Sequence, residues 1–350
     1  MKVSTWSPLF SLPLIVLLSS CATSSYAPPK PRQVAAQNKV TVSVTPFAIS
    51  AAHAGGANEA ALRHFESNYF AVSLEKALSR TSGVSNAYFT PVYTPATDYS
   101  MSGTILGSDG KSTSVAVTLW DVNHHQVWTK QYSLSLGSGQ FSGNHVDPGS
   151  AIWNGAANDF DRYLMSQKTS PSQAMASGRV TAYSDGVAKA TDKTVTVAKK
   201  AATVERDGLL APMTKQAEDQ GRLMQALYTD WQREATKLQE ERSAANASAA
   251  ANMMLGMVQA AAAGMAQGTG DVGNAATLQE GAMTSMERSS NDSDRASQFE
   301  AQLGQLKFAV LTNAAPITVN FESKTYTLRG SKENQVRDFR RLVKQQLLKS

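Results

Sequence analysis

The chain has 350 residues, enough for two domains, with 33 Lys and Arg against 28 Asp and Glu and a formal net charge of +5. That mild basic excess is not gathered into a block interleaved with aromatic residues, which argues against a nucleic-acid-binding stripe. A single cysteine rules out an internal disulfide, and no cofactor or metal motif stands out.

Residues 1–20 read as an export signal. Lys2 gives a positive start, Leu9 to Leu18 an apolar run, and Ser19-Ser20 the small residues of a cleavage point. The run is too short to span a bilayer stably. The lone cysteine closes Leu18-Ser19-Ser20-Cys21. A free thiol, or half of an intermolecular disulfide, would leave its position at this boundary unexplained. The tetrad resembles the lipobox of bacterial lipoproteins. The resemblance implies that Cys21 is acylated and becomes the first residue of the mature chain, with the membrane as a partner through that anchor. Several acyl chains hold a protein stably, at ~0.8 kcal/mol per buried CH₂. Ala22 follows where an aspartate would signal retention on the inner membrane, so the resemblance implies the outer membrane, with the folded part facing the periplasm. Residues 21–38, with Pro28-Pro29-Lys30-Pro31, read as a flexible tether.

Residues 39–167 read as a small α+β sandwich of sheet and helices. Val40, Val42 and Val44 alternate with polar residues as a strand does. Leu62, Phe65, Tyr69, Val72 and Leu78 then share one helical face. A strand is expected at Ala87 to Tyr93, followed by an antiparallel meander over Tyr99 to Leu106, Ser112 to Trp120 and Gln126 to Leu136. A helix from Pro148 to Met165 closes the unit, with Asp147 expected as its N-cap. The segment Asp98-Tyr99-Ser100-Met101-Ser102-Gly103-Thr104-Ile105, then Leu119-Trp120-Asp121 and Gln126-Val127-Trp128, resembles the TolB amino-terminal-like fold of curli-secretion and penicillin-binding-protein-activator lipoproteins. That resemblance implies an envelope adaptor domain and carries no catalytic residues.

Residues 168–204 turn to Ser, Ala, Gly, Thr and Lys and read as a linker, with Thr194 to Val197 as a short strand. Residues 205–310 read as a long helical, coiled-coil-like region. Met213, Ala217, Gln220, Met224, Leu227, Trp231, Ala235 and Leu238 fall at steps of three and four, and Met224, Leu227 and Trp231 are expected to meet a partner helix. No charge occurs between Ser243 and Gly270, where Gly256, Ala260, Gly264 and Gly268 recur every four residues. Membrane insertion, close helix packing in a homo-oligomer through Gly256, Ala260 and Gly264, and an Ala/Gly loop all fit this segment. Residues 311–350 read as a β-hairpin, Ile317 to Phe321 and Lys324 to Leu328, followed by a helix from Glu333 to Leu348. Too small to stand alone, this piece is expected to dock on the long helix or the first domain.

Catalytic signatures are sparse. His124-His125 with Asp121 sits on a turn and reads as solvated. Asp159 and Asp161 project to different faces of one helix, and Trp120 and Trp128 read as core anchors. No nucleophile elbow, phosphate loop or H-E-x-x-H stretch occurs. The expectation is a non-enzymatic outer-membrane lipoprotein that binds other envelope proteins. The alternative is a membrane-active component of a secretion or pore complex.

Overall fold

The computed structural model describes residues 28–50, 57–141, 147, 149–167, 175–219, 221–222, 225–226, 228–237, 239–241 and 316–350. Cys21, Met224, Leu227, Gly256, Ala260 and Gly264 lie outside them.

The fold is α+β. Strands β1 (Val40–Val44), β2 (Ala48–Ile49), β3 (Val84–Phe89), β4 (Tyr99–Ser108), β5 (Ser112–Asp121) and β6 (Gln126–Ser135) form one sheet in the order β3-β1-β4-β5-β6, with β2 beside β4. β4, β5 and β6 make the expected antiparallel meander, whereas β1 runs parallel to both β3 and β4. The strand expected from Ala87 starts three residues earlier and stops at Phe89, where the Thr90 hydroxyl donates to the Val92 carbonyl and turns the chain.

Alternation along the strands sends Val40, Val42, Val44, Met101, Ile105, Val115, Val117 and Leu119 to one face. Helices α1 (Ala57–Leu78) and α2 (Ser150–Ser166) cover it with Leu62, Phe65, Phe70, Leu74, Ile152, Trp153 and Phe160. Each such side chain is worth roughly 1.5–3 kcal/mol when fully buried. α2 begins at Ser150 with Gly149 as its N-cap, so Asp147 is not the cap. Its carboxylate instead accepts from the Gly149 amide at 2.8 Å and from the Tyr69 hydroxyl at 3.1 Å.

Gly103, the glycine of the meander segment, has a packing role. A Cβ there would sit 2.2 Å from the Phe47 ring, which is wedged edge-on against Phe70 and Trp153.

The region expected as a linker is helical. α3 (Ala176–Tyr183) and α4 (Asp192–Glu205) replace the expected short strand. Thr191 and Thr194 form a reciprocal capping box at the start of α4, and Thr194, Val197, Ala198, Ala201 and Ala202 are buried along one side. Tertiary burial of that stripe overrides the β preference of Thr-Val-Thr-Val. A π-helical turn at Arg206–Leu210 continues into α5, whose described residues fall between 211 and 241.

α3, α4, the hairpin β7 (Ile317–Phe321) and β8 (Lys324–Leu328), and α6 (Lys332–Lys349) enclose a second core. Val180, Tyr183, Leu209, Phe321, Val336 and Phe339 fill it, and Tyr88 of β3 joins the sheet to it. The buried Asp98–Arg179 pair ties α3 to the sheet, and Asp98 also accepts from the Thr41 amide at 2.7 Å.

The tether departs from expectation from residue 28 onward. Pro29 is buried, and the Arg32 guanidinium grips Asp161 at 2.7 and 3.0 Å while its amide donates to the Ser82 hydroxyl at 2.8 Å. An arginine–carboxylate fork of this kind holds both position and angle, so this stretch is docked on the folded unit.

Candidate functional site

Among the residues expected to meet a partner, the structure describes the side chain of Trp231. It is 3 % exposed and stacks on Tyr228 at 5.2 Å. Tyr228 lies 4.9 Å from Tyr69 and 5.8 Å from Phe65 of α1. Of the α5 stripe, Ala217 and Trp231 are buried in the first core and Met213 in the second, so Trp231 is not a free contact residue. A buried carboxylate organises the same contact. Glu66 accepts from the Ser108 hydroxyl at 2.6 Å, from the Tyr228 hydroxyl at 2.8 Å and from Arg63. With those partners an otherwise costly buried charge locks α5, α1 and the end of β4 together.

Where α1 and α5 run side by side they leave a cavity of about 240 Å³, lined on one side by Tyr69, Ser73 and Lys76 and on the other by Glu218, Gly221 and Arg222. Nearby, Glu75 is 1 % exposed and its Oε2 has no hydrogen-bond partner among the described residues. Burial, then the Glu218 charge, pushes its carboxyl up to about 8. Burial also raises Asp147 despite its donors.

A second surface faces outward. The Arg340 guanidinium lies 5.8 Å from the Tyr93 ring, Tyr93 lies 4.4 Å from His124, and His124 stacks on Trp120 at 4.5 Å. The Trp120 indole N–H donates to the Ser102 hydroxyl at 2.9 Å, and the Tyr93 hydroxyl donates to the Val122 carbonyl at 2.5 Å. His124 holds a left-handed φ of 62°, and burial lowers its pKa. Trp120 thus belongs to this ladder on the sheet's outer face. Trp128 packs partly against the first core, as expected. Beside the ladder, Arg337, Arg340, Arg341 and Lys344 of α6 line a cavity of about 290 Å³ with Tyr183 and Asp185. Each cation touches a carboxylate or a ring, so the cluster is a mixed-charge surface and not a bare basic one.

Flat π faces beside guanidinium groups suit recognition of a planar or anionic group. The described histidines, His64, His124 and His125, are all exposed. Among the described residues, no group of three or more His, Cys, Asp or Glu is placed to hold a metal ion. No helix among them is long and apolar enough to cross a membrane. Asp159 and Asp161 face apart as expected. Asp159 takes Tyr132, Lys130 and Arg162, and Asp161 takes Arg32. Sequence reasoning missed the ladder because Arg340 and Tyr93 lie 247 positions apart. The signal within reach was the spacing of Arg337, Arg340, Arg341 and Lys344 on one helical face.

No family model and no curated protein matches the sequence. Among solved structures, the chain is similar to the crystal structure of protein XCC0632 from Xanthomonas campestris, of family DUF330. The identity is 8 % and the TM-score 0.23, over 42 % of this chain and 93 % of that one. At that TM-score the likeness carries no functional conclusion.

Proposed function

We propose that this chain is a bacterial lipoprotein, acylated at Cys21 and held on the outer membrane, that acts in the periplasm as a non-enzymatic adaptor for other envelope proteins. The observation that carries the reading is the tetrad Leu18-Ser19-Ser20-Cys21 at the junction of an apolar run and a proline-bearing segment. Two structural features support it. The segment after the cysteine is docked on the folded unit through Arg32, as a mounting should be. The ladder of Arg340, Tyr93, His124 and Trp120 offers stacking and charge to a partner, with its histidine exposed on a turn.

Mass spectrometry of the amino-terminal peptide from native cells tests the anchor. A diacylglyceryl cysteine at position 21 is expected, and Cys21→Ser should release the chain from membranes. An intact leader and an unmodified thiol would overturn the reading. For the adaptor role, a photocrosslinker at His124 in intact envelopes should capture one defined partner, which Trp120→Ala abolishes. Crosslinks unchanged by that substitution would count against the ladder as the docking surface.

A further inference from the structure

The docked segment fixes which end of the molecule lies nearest the anchor. Eight residue steps separate Cys21 from the buried Pro29, and fully extended they span at most ~29 Å. The contacts that hold this stretch converge on one end of the sheet. Arg32 meets Ser82 in the turn after α1 and Asp161 near the end of α2, and the Val40 amide at the start of β1 donates to the Gly83 carbonyl at 2.9 Å. Leu164 and Arg32 crowd Gly83 so closely that a methyl group there would collide.

The same end is cationic. Lys30, Arg80 and Arg162 are exposed and Lys39 is half-buried. Its carboxylates are matched from within the fold, Asp161 by Arg32 and Asp159 by Lys130 and Arg162. Lys30, Lys39 and Arg80 make no ion pair among the described residues. Met165, the residue after Leu164, is 63 % exposed, an unusual placement for a large apolar side chain near the end of a packed helix. Lysines and arginines near an anionic bilayer are attracted over roughly a Debye length of about 8 Å at physiological salt. A short anchor holds these cations at high effective concentration beside the headgroups, so a handful suffices.

We infer that this end, formed by Lys30, Lys39, Arg80, Arg162 and Met165, is the membrane-facing surface of the protein. Its cations rest on the anionic headgroups of the bilayer that holds the anchor, and Met165 enters the interface. The inference rests on acylation of Cys21.

The test uses the full-length acylated protein in vesicles. Acylation leaves a newly introduced cysteine as the reactive thiol, so a fluorophore can be placed by Met165→Cys or, as the distal control, by Lys111→Cys. Lys111 sits at the far end of β5, roughly 30 Å along the strand. With a headgroup-borne quencher and phosphatidylglycerol in the bilayer, the probe at 165 should be quenched at least threefold more than the probe at 111. Equal quenching in a chain whose acylation is verified by mass overturns the orientation and leaves the lipoprotein reading standing. Replacing Lys30 and Arg80 by glutamate should at least halve the quenching at 165 in phosphatidylglycerol vesicles and leave it unchanged in zwitterionic ones. Insensitivity to those charges overturns the headgroup contact. An unacylated chain that stays in the aqueous phase overturns the anchor and, with it, the orientation.

Discussion

Trp231→Ala separates two uses of the same helix. The indole is 3 % exposed, stacked on Tyr228 at 5.2 Å, and the helix turn behind it closes on the β4–β5 connection, where a Cβ on Gly110 would strike Ala235. Truncation leaves a hole where α5 meets the β4–β5 connection, and α5 cannot move in to close it because the Tyr228 hydroxyl on Glu66 fixes its distance from α1. Loss of a buried tryptophan with a residual cavity costs about 3–5 kcal/mol. At an m-value of about 3 kcal/mol/M in urea the unfolding midpoint should fall by roughly 1–1.7 M. Trp231→Phe, which keeps a ring against Tyr228, should lose less than half of that. The assay is equilibrium unfolding followed by far-UV circular dichroism, with sedimentation run in parallel. A midpoint shift below ~0.2 M accompanied by a drop in mass would refute the packing role and return Trp231 to a partner interface.

Glu75→Gln tests the buried carboxyl. Its folded pKa of about 8 stands above the ordinary carboxyl value of 4.5, so the folded state binds the extra proton between those values. Wild-type stability should therefore fall relative to the glutamine variant as pH rises from 4.5 through about 8, by up to about 1.4 kcal/mol per pH unit. Parallel pH profiles of the two proteins would sink the assignment. Arg179→Met strands the buried Asp98 carboxylate and should cost about 3–5 kcal/mol, and adding Asp98→Asn should recover part of it in a double-mutant cycle. Gly103→Ala drives a methyl into the Phe47 ring and should destabilise by about 1–3 kcal/mol or more; an unchanged melting temperature would show that the ring can move aside.

Much of the first unit was legible because its signals are local. Val115, Val117 and Leu119 alternate, the meander turns are short, and the faces of α1 and α2 repeat at helical spacing. The C-terminal hairpin and helix were legible for the same reason, with Ser331 capping α6 through the Asn334 amide. α4 was not, because Thr194 to Val197 satisfies a strand pattern and its helical stripe is built from alanines that carry little hydrophobic signal. The parallel pairing of β1 was invisible, since Val42 meets Tyr99 and Ala87 only through contacts distant in sequence. Met213, Ala217 and Trp231 of the α5 seam are buried within the chain, and periodicity does not say whether a seam's partner belongs to the same chain. Arg32 sits among prolines and polar residues, and only the fold reveals that Asp161 waits for it.

The course of α5 has a consequence for the stretch that follows it. Thr214 bonds to Phe89 at the end of β3, Gly221 abuts Val72, Tyr228 reaches Glu66, and Gln239 donates to the Asp109 carbonyl at 3.3 Å. The polypeptide is thus carried along the body of the molecule and handed off at the β4–β5 turn, opposite the end gripped by Arg32. Re-entry comes at β7, where Val319 lies against Gly208. The stretch gripped by Arg32 and the last described turn of α5 therefore lie at opposed ends of the sheet.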